Sequence, residues 1–171
     1  MYLVDPQGNF SFFANLSVDD DGAGDEDVAL VDTINGIGFN TEDGLVYGID
    51  SGNDTLYRIL PNGFMQNLGV ISGPIGNTSN FSGAFDNDGN YYILGQNGNL
   101  VLVDGVEDLE PGEGTTSTLL AQTDVRASDI AISPSDFLVY LWDQQDNQLK
   151  TIDPETGAVN VIGPAANTSN F

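Results

Sequence analysis

Ile37-Gly38-Phe39, Leu45-Val46-Tyr47-Gly48-Ile49 and Leu56-Tyr57-Arg58-Ile59 are three short runs separated by turn residues, and the same arrangement returns twice further along the chain. The second copy is Gly83-Ala84-Phe85, Tyr91-Tyr92-Ile93-Leu94 and Leu100-Val101-Leu102-Val103. The third is Ile130-Ala131-Ile132, Leu138-Val139-Tyr140-Leu141-Trp142 and Leu149-Lys150-Thr151-Ile152. Taking Leu45, Tyr91 and Leu138 as equivalent gives spacings of 46 and 47 residues. Apolar and aromatic residues at period two, broken by turns, make each run a strand. Each unit then continues through a Pro- or Gly-bearing corner, at Pro61-Asn62-Gly63, Asp104-Gly105 and Asp153-Pro154, into a fourth strand. Those fourth strands are expected over Phe64 to Val70, Thr116 to Ala121 and Ala158 to Ile162. A repeat of about 40 to 50 residues with four short strands is the pattern of a β-propeller blade. The fold class is therefore all-β, with helix considered only as a short turn from Asp25 to Asp32.

Working outward, Tyr2-Leu3-Val4-Asp5-Pro6 leading into Phe10 to Leu16 matches the back half of the unit. The division expected is a half blade at 1–18, an acidic insertion at 19–33, and blades at 34–80, 81–126 and 127–171 of one domain. Gly73-Pro74 with Asn77-Thr78-Ser79-Asn80-Phe81 reappears as Gly163-Pro164 with Asn167-Thr168-Ser169-Asn170-Phe171, a longer duplication laid over the blades. Three and a half four-stranded blades leave a ring with bare apolar faces and unpaired strand edges. Closure by self-association, closure within a longer parent chain, and a small four-bladed ring completed by residues 19–33 all remain open.

Arg58, Arg126 and Lys150 are the only cations against 26 acidic residues, for a net charge of −23. Such a field repels nucleic acid and anionic membrane surfaces. Hydrophobic residues still make up 40% of the chain and fall in alternating runs, which excludes an acidic disordered tail. No apolar run is long enough to insert into a bilayer. Met1-Tyr2-Leu3-Val4-Asp5 has neither the basic stretch nor the apolar core of a signal peptide, as a mature fragment of a secreted protein would also lack them. The acidity and the Asn-, Gly-, Thr- and Ser-rich turns lean toward an extracellular or cell-surface setting. Asn15, Asn53, Asn77, Asn80 and Asn167 lie in glycosylation sequons, as an Asn-rich chain would produce by chance.

The chain has no His and no Cys, which removes the commonest general base, the thiol nucleophile and the usual transition-metal ligands. The protein is accordingly expected not to be an enzyme, a carboxylate- or Ca²⁺-dependent hydrolase being the residual catalytic option. Ca²⁺ is the one candidate cofactor. Its candidate ligands are Asp19, Asp20, Asp21, Asp25, Glu26 and Asp27, hard oxygen donors interrupted by Gly22 and Gly24. The spacing departs from the helix-flanked Ca²⁺ loop, since Leu30 stands where a bidentate Glu would be, and a solvated acidic loop that only adds charge is the favoured reading. Asp86-Asn87-Asp88-Gly89-Asn90 is read as a hairpin turn and not as a metal loop. The residues just before each innermost strand, Asn35, Ser82, Ser128 and Asp129 among them, fall at the mouth of the central channel and form a candidate ligand site. The aromatics Tyr47, Tyr57, Tyr91, Tyr92, Tyr140 and Trp142 alternate with Val, Ile and Leu and are expected to fill the wedges between blades rather than to stack on sugars.

From Gly36 to Asp50, and on through Leu56-Tyr57-Arg58-Ile59, the chain resembles the uncharacterised propeller repeat domains of large secreted or surface-anchored bacterial and archaeal proteins. Their blades read aliphatic, Gly, Phe, Asn, two residues, Asp-Gly, Leu, aliphatic, Tyr. The resemblance runs from Ile34 onward and implies an extracellular scaffold or adhesion role, with no catalytic residues to carry over. The function expected is a non-catalytic surface or structural module that self-assembles, as an oligomer or filament, or presents loops to other surface proteins. The alternative is a Ca²⁺-dependent ligand or carbohydrate binder, with glycans as partners.

Overall fold

The computed structural model describes residues 2–4, 7, 9–12, 17–19, 33–75 and 81–163. Three antiparallel sheets account for most of them. The first is built from β4 (Ile34–Phe39), β5 (Val46–Asp50), β6 (Thr55–Ile59) and β7 (Phe64–Ser72). The second holds β8 (Phe81–Phe85), β9 (Tyr91–Gly95), β10 (Asn99–Val103) and β12 (Thr118–Gln122). The third holds β13 (Ile130–Ile132), β14 (Val139–Asp143), β15 (Gln148–Ile152) and β16 (Val159–Val161). β1 (Tyr2–Val4) and β2 (Phe10–Phe12) form a separate antiparallel hairpin. Each sheet is a four-stranded meander, and the inner strands stand side by side, β4 next to β8 and β8 next to β13. This is the radial arrangement of a β-propeller.

The sheets stack face to face, and two cores fill the wedges between them. Tyr47, Ile49, Leu56 and Leu68 of the first sheet meet Phe81, Tyr91, Ile93 and Val101 of the second. Leu94, Leu100 and Ala121 of the second meet Ile130, Val139, Leu141 and Ile152 of the third. In the second sheet Tyr91 and Ile93 point backward to the first while Leu94 points forward to the third, as the period-two alternation of a doubly covered strand requires. Tyr47, Tyr91 and Tyr92 therefore lie between blades, as expected from their alternation, whereas Trp142 is exposed.

The packing corrects the equivalence drawn from sequence. The second strands begin at Val46, Tyr91 and Val139, not at Leu45, Tyr91 and Leu138. The slip arises in the first hairpin turn, which closes from Asn40 to Leu45 and from Ser133 to Leu138 but from Asp86 to Asn90 in the second blade, one residue shorter. The Asp86 carboxylate takes the place of the missing residue by accepting the backbone N–H groups of Asp88 and Asn90, each at 2.9 Å. The Asp86–Asn90 segment is thus a turn, as read.

Two further corrections concern short strands. The fourth strand of the second blade begins at Thr118 rather than Thr116, because β11 (Thr115–Thr116) leaves its own blade and pairs in parallel with Ile71 and Ser72 at the edge of β7. The same edge takes β3 (Ser17–Asp19), parallel to Phe64–Gln66. Both cap backbone groups that a nine-residue outer strand would otherwise leave open. A 3-10 turn at Val106–Asp108, not expected from sequence, follows β10. It takes part in blade contact: Arg58 donates to the carbonyls of Glu107 at 3.0 Å and Leu109 at 3.3 Å, reaching from the first blade to the second.

Candidate functional site

The meander places the start of each inner strand beside the end of the second strand, because the two run antiparallel. At that end of the sheets a cavity of about 290 Å³ is lined by Asn35, Phe81, Gln96, Ala127, Ser128 and Gln144. A neighbouring cavity of about 240 Å³ adds Gly36, Ser82, Gly83 and Asp129. The four residues expected at the channel mouth, Asn35, Ser82, Ser128 and Asp129, are therefore brought to one place from three different blades. Sequence reading missed Gln96 and Gln144. Both directly follow a second strand, and the signal available was that this strand end returns to the axis.

Side-chain hydrogen bonds hold the rim. Ser82 Oγ and Gln96 Nε2 both donate to the Ala127 carbonyl, at 2.8 and 3.0 Å, and tie the second blade to the chain entering the third. Gln144 Nε2 reaches Ser128 Oγ. Beneath Gln144, the buried Asp143 accepts from Lys150 Nζ at 2.6 Å and from the backbone N–H groups of Gln145 and Arg126. Burial alone would raise the Asp143 carboxyl, but these donors hold it below the usual Asp range, so it stays ionised as a fixed acceptor. The rim offers amides, hydroxyls and one carboxylate, Asp129, and no cation lines it. That donor set suits a neutral, hydroxyl-rich ligand better than an anion.

Asp19 lies in β3, and Asp20, Asp21, Asp25, Glu26 and Asp27 fall outside the described residues. A separate acidic cleft of about 400 Å³ between the second and third blades is lined by Asp86, Asp88, Tyr92, Asp136, Asp153 and Glu155, among others. Burial first, and then Asp86, Asp88 and Glu155, push the Tyr92 hydroxyl up to about 12, so it remains protonated there. Among the described residues no group of three acidic side chains is placed to share a metal ion.

Exposed apolar side chains remain on two sheet faces, although on the first blade a third buried cluster, Tyr57, Ile59 and Met65 with Ile34 and Val46 against it, occupies the rest of the same face. On the first blade, Ile37 and Phe39 turn away from the second blade and are 52% and 55% exposed. On the third, Trp142 and Leu149 sit opposite one another in register on the forward face, 42% and 38% exposed.

Solved structures of β-propeller proteins share this arrangement, which defines the chain as a β-propeller domain. The extracellular domain of a one-component system from Bacteroides thetaiotaomicron matches 94% of this chain with a TM-score of 0.61 and 15% identity, over 24% of its own length. Virginiamycin B lyase from Staphylococcus aureus matches 98% of this chain with a TM-score of 0.56 and 13% identity, over 49% of its own length. A protein of unknown function from the same Bacteroides species matches 77% of this chain, with a TM-score of 0.59 and 17% identity, over 34% of its own. The chain thus spans half or less of the length of these three proteins. At such identities the likeness concerns the fold. Residues 24–171 match the family described as "Repeat of unknown function (DUF6923)", and the chain belongs to it. No curated protein matches the sequence.

Proposed function

We propose that this chain is a non-catalytic structural module of the cell exterior that supplies a block of propeller blades and completes its ring by associating with further blades. The observation that carries this reading is the contrast between two wedges filled by buried aromatic and aliphatic side chains and the forward face of the third blade, on which Trp142 and Leu149 meet solvent, as Ile37 and Phe39 do on the inner strand of the first. A large apolar side chain left on an otherwise doubly covered sheet marks a contact surface. The acidity adds a condition. Two chains of net charge −23 repel one another, so association should strengthen with salt as that repulsion is screened. Light scattering across concentration, at low and high salt, tests the reading. The expected result is a mass above the 18.1 kDa of a single chain that increases with salt. A single-chain mass at every concentration and both salts would refute it.

The convergence of Asn35, Ser82, Gln96, Ser128, Asp129 and Gln144 at the channel mouth favours a second reading, a site for a neutral polyhydroxyl ligand such as a glycan. Titration calorimetry with a panel of neutral oligosaccharides should detect binding that Gln144→Ala weakens by about tenfold, the worth of one or two hydrogen bonds. Heats no different from dilution across the panel would remove this reading and leave the structural one in place.

A further inference from the structure

We infer that the ligand of the channel-mouth site carries a single carboxylate, received by Arg126 in the cavity beside the mouth, and that the site takes a mono-acidic glycan such as one ending in a uronic acid. The inference rests on the glycan reading above and names the class of glycan.

Arg126 differs from the other two cations of the chain. Arg58 is held by Gln66 and by the carbonyls of Glu107 and Leu109, and Lys150 pairs with Asp143 and Asp146. The Arg126 side chain is exposed and, among the described residues, makes neither a hydrogen bond nor an ion pair. In a chain with 26 acidic residues, this guanidinium still offers all five of its N–H donors.

Its position gives those donors a use. A cavity of about 400 Å³ is lined by Arg126 with Gln96, Asn97, Thr123, Asp124 and Gln145, among others. It adjoins the mouth, since Gln96 lines both cavities and Ala127 and Gln144, the chain neighbours of Arg126 and Gln145, line the first. Hydrogen bonds between the loops fix its walls. Thr123 donates its N–H and its hydroxyl to the Gly98 carbonyl at 2.8 and 2.9 Å, and Gln145 Nε2 donates to the Asp124 carbonyl. The Arg126 backbone is pinned on both sides, its N–H donating to Asp143 at 3.3 Å and its carbonyl accepting from the Gln144 N–H at 2.8 Å. The side chain starts from a fixed point, which lowers the ordering cost of binding.

Asp124 lines the same cavity without pairing with Arg126. The carboxylate suits sugar hydroxyls, and the planar fork of the guanidinium suits a carboxylate taken in two parallel bonds. The field of the whole chain sets how many charges the ligand brings. At net −23 it opposes a polyanion, whereas one guanidinium offsets one carboxylate. A hydroxyl-rich stretch at the mouth that ends in one acidic unit at Arg126 satisfies both cavities.

The test is calorimetry with the panel of neutral oligosaccharides and with each of them after oxidation of one terminal primary hydroxyl to a carboxylate. An oxidised form is expected to bind about tenfold more tightly than its neutral parent, the scale of one charge-assisted bidentate pair. Arg126→Gln is expected to abolish that difference and Arg126→Lys to restore only part of it, because an ammonium lacks the planar fork. Circular dichroism checks that both variants fold, and the comparison of the two ligand forms on the natural chain needs neither. Neutral and oxidised forms that bind the natural chain equally, or a gain that survives Arg126→Gln, overturn the inference while the glycan reading stands. Heats no different from dilution with every neutral and oxidised sugar overturn both, and a short acidic peptide that then binds through Arg126 would reassign the cavity to a peptide.

Discussion

Tyr91→Ala should lower stability by about 4 kcal/mol, the usual cost of deleting a fully buried large aromatic, and lower the melting temperature by about 10 °C for a domain of this size. Tyr91 is completely buried, stacks on Phe85 at an interplanar angle of 7°, and carries its ring into the wedge between the first two blades. Its hydroxyl donates to the Gly36 carbonyl on the inner strand of the neighbouring blade. That approach is possible because β4 bulges between Asn35 and Gly38, with Gly36 at φ 60°, a conformation that glycine tolerates and other residues resist. Burial also raises the hydroxyl's pKa, so the donor persists across the ordinary pH range. Tyr91→Phe separates the two contributions. It keeps the stack and leaves the Gly36 carbonyl without this donor, and should cost about 1 to 3 kcal/mol. Urea unfolding of both variants is the measurement. A Tyr91→Ala loss under about 1 kcal/mol would mean that the blades do not meet as described.

Gly98→Ala is the second large effect, expected near 3 kcal/mol from two causes. Gly98 has φ +81°, where a Cβ costs about 1 to 2 kcal/mol. A Cβ there would also stand 1.9 Å from the Thr123 carbonyl oxygen, and crowding of packed atoms typically costs a further 1 to 3 kcal/mol. The neighbour cannot easily withdraw. Thr123 donates both its backbone N–H and its hydroxyl to the Gly98 carbonyl, at 2.8 and 2.9 Å, and these bonds hold the chain leaving β12 against the hairpin between β9 and β10. Gly105→Ala is the control. Its φ is +66°, but nothing lies within 4 Å of the added carbon, so only the backbone cost of about 1 kcal/mol should appear. Equal losses at the two sites in chemical denaturation would show that the contact with Thr123 contributes nothing.

The repeat was most legible in the middle blade, whose second strand is covered on both faces. Tyr91-Tyr92-Ile93-Leu94 reads as continuous apolar residues, and the strand it predicts agrees with β9 to one residue. The hairpin turns were legible for a related reason, since Asp-Gly and Asn-rich corners satisfy their own backbone locally, as Asp86 does for Asp88 and Asn90. The short edge strands were not. A two-residue pairing such as Thr115–Thr116 with Ile71–Ser72 has no periodicity, and its partner lies more than a strand away in the chain. Of the channel-mouth residues, Asn35, Ser82, Ser128 and Asp129 followed from strand order alone. Gln96 and Gln144 required the knowledge that a second strand brings its end back to the same rim.

Local pattern and turn chemistry thus determined, from the amino acids alone, that this is an all-β chain of repeated four-stranded units, because those preferences act over a few residues and repeat. Which tyrosine faces forward, which turn is a residue short, and which aromatics are buried or left bare were decided only by tertiary packing. A one-residue slip reverses the face of every side chain in a strand, and only contact between sheets fixes that parity. Tyr47 and Tyr140 lie in near-identical sequence settings. One has Phe85 against it and the other stands on an outer face, a difference that resides entirely in what the next blade supplies.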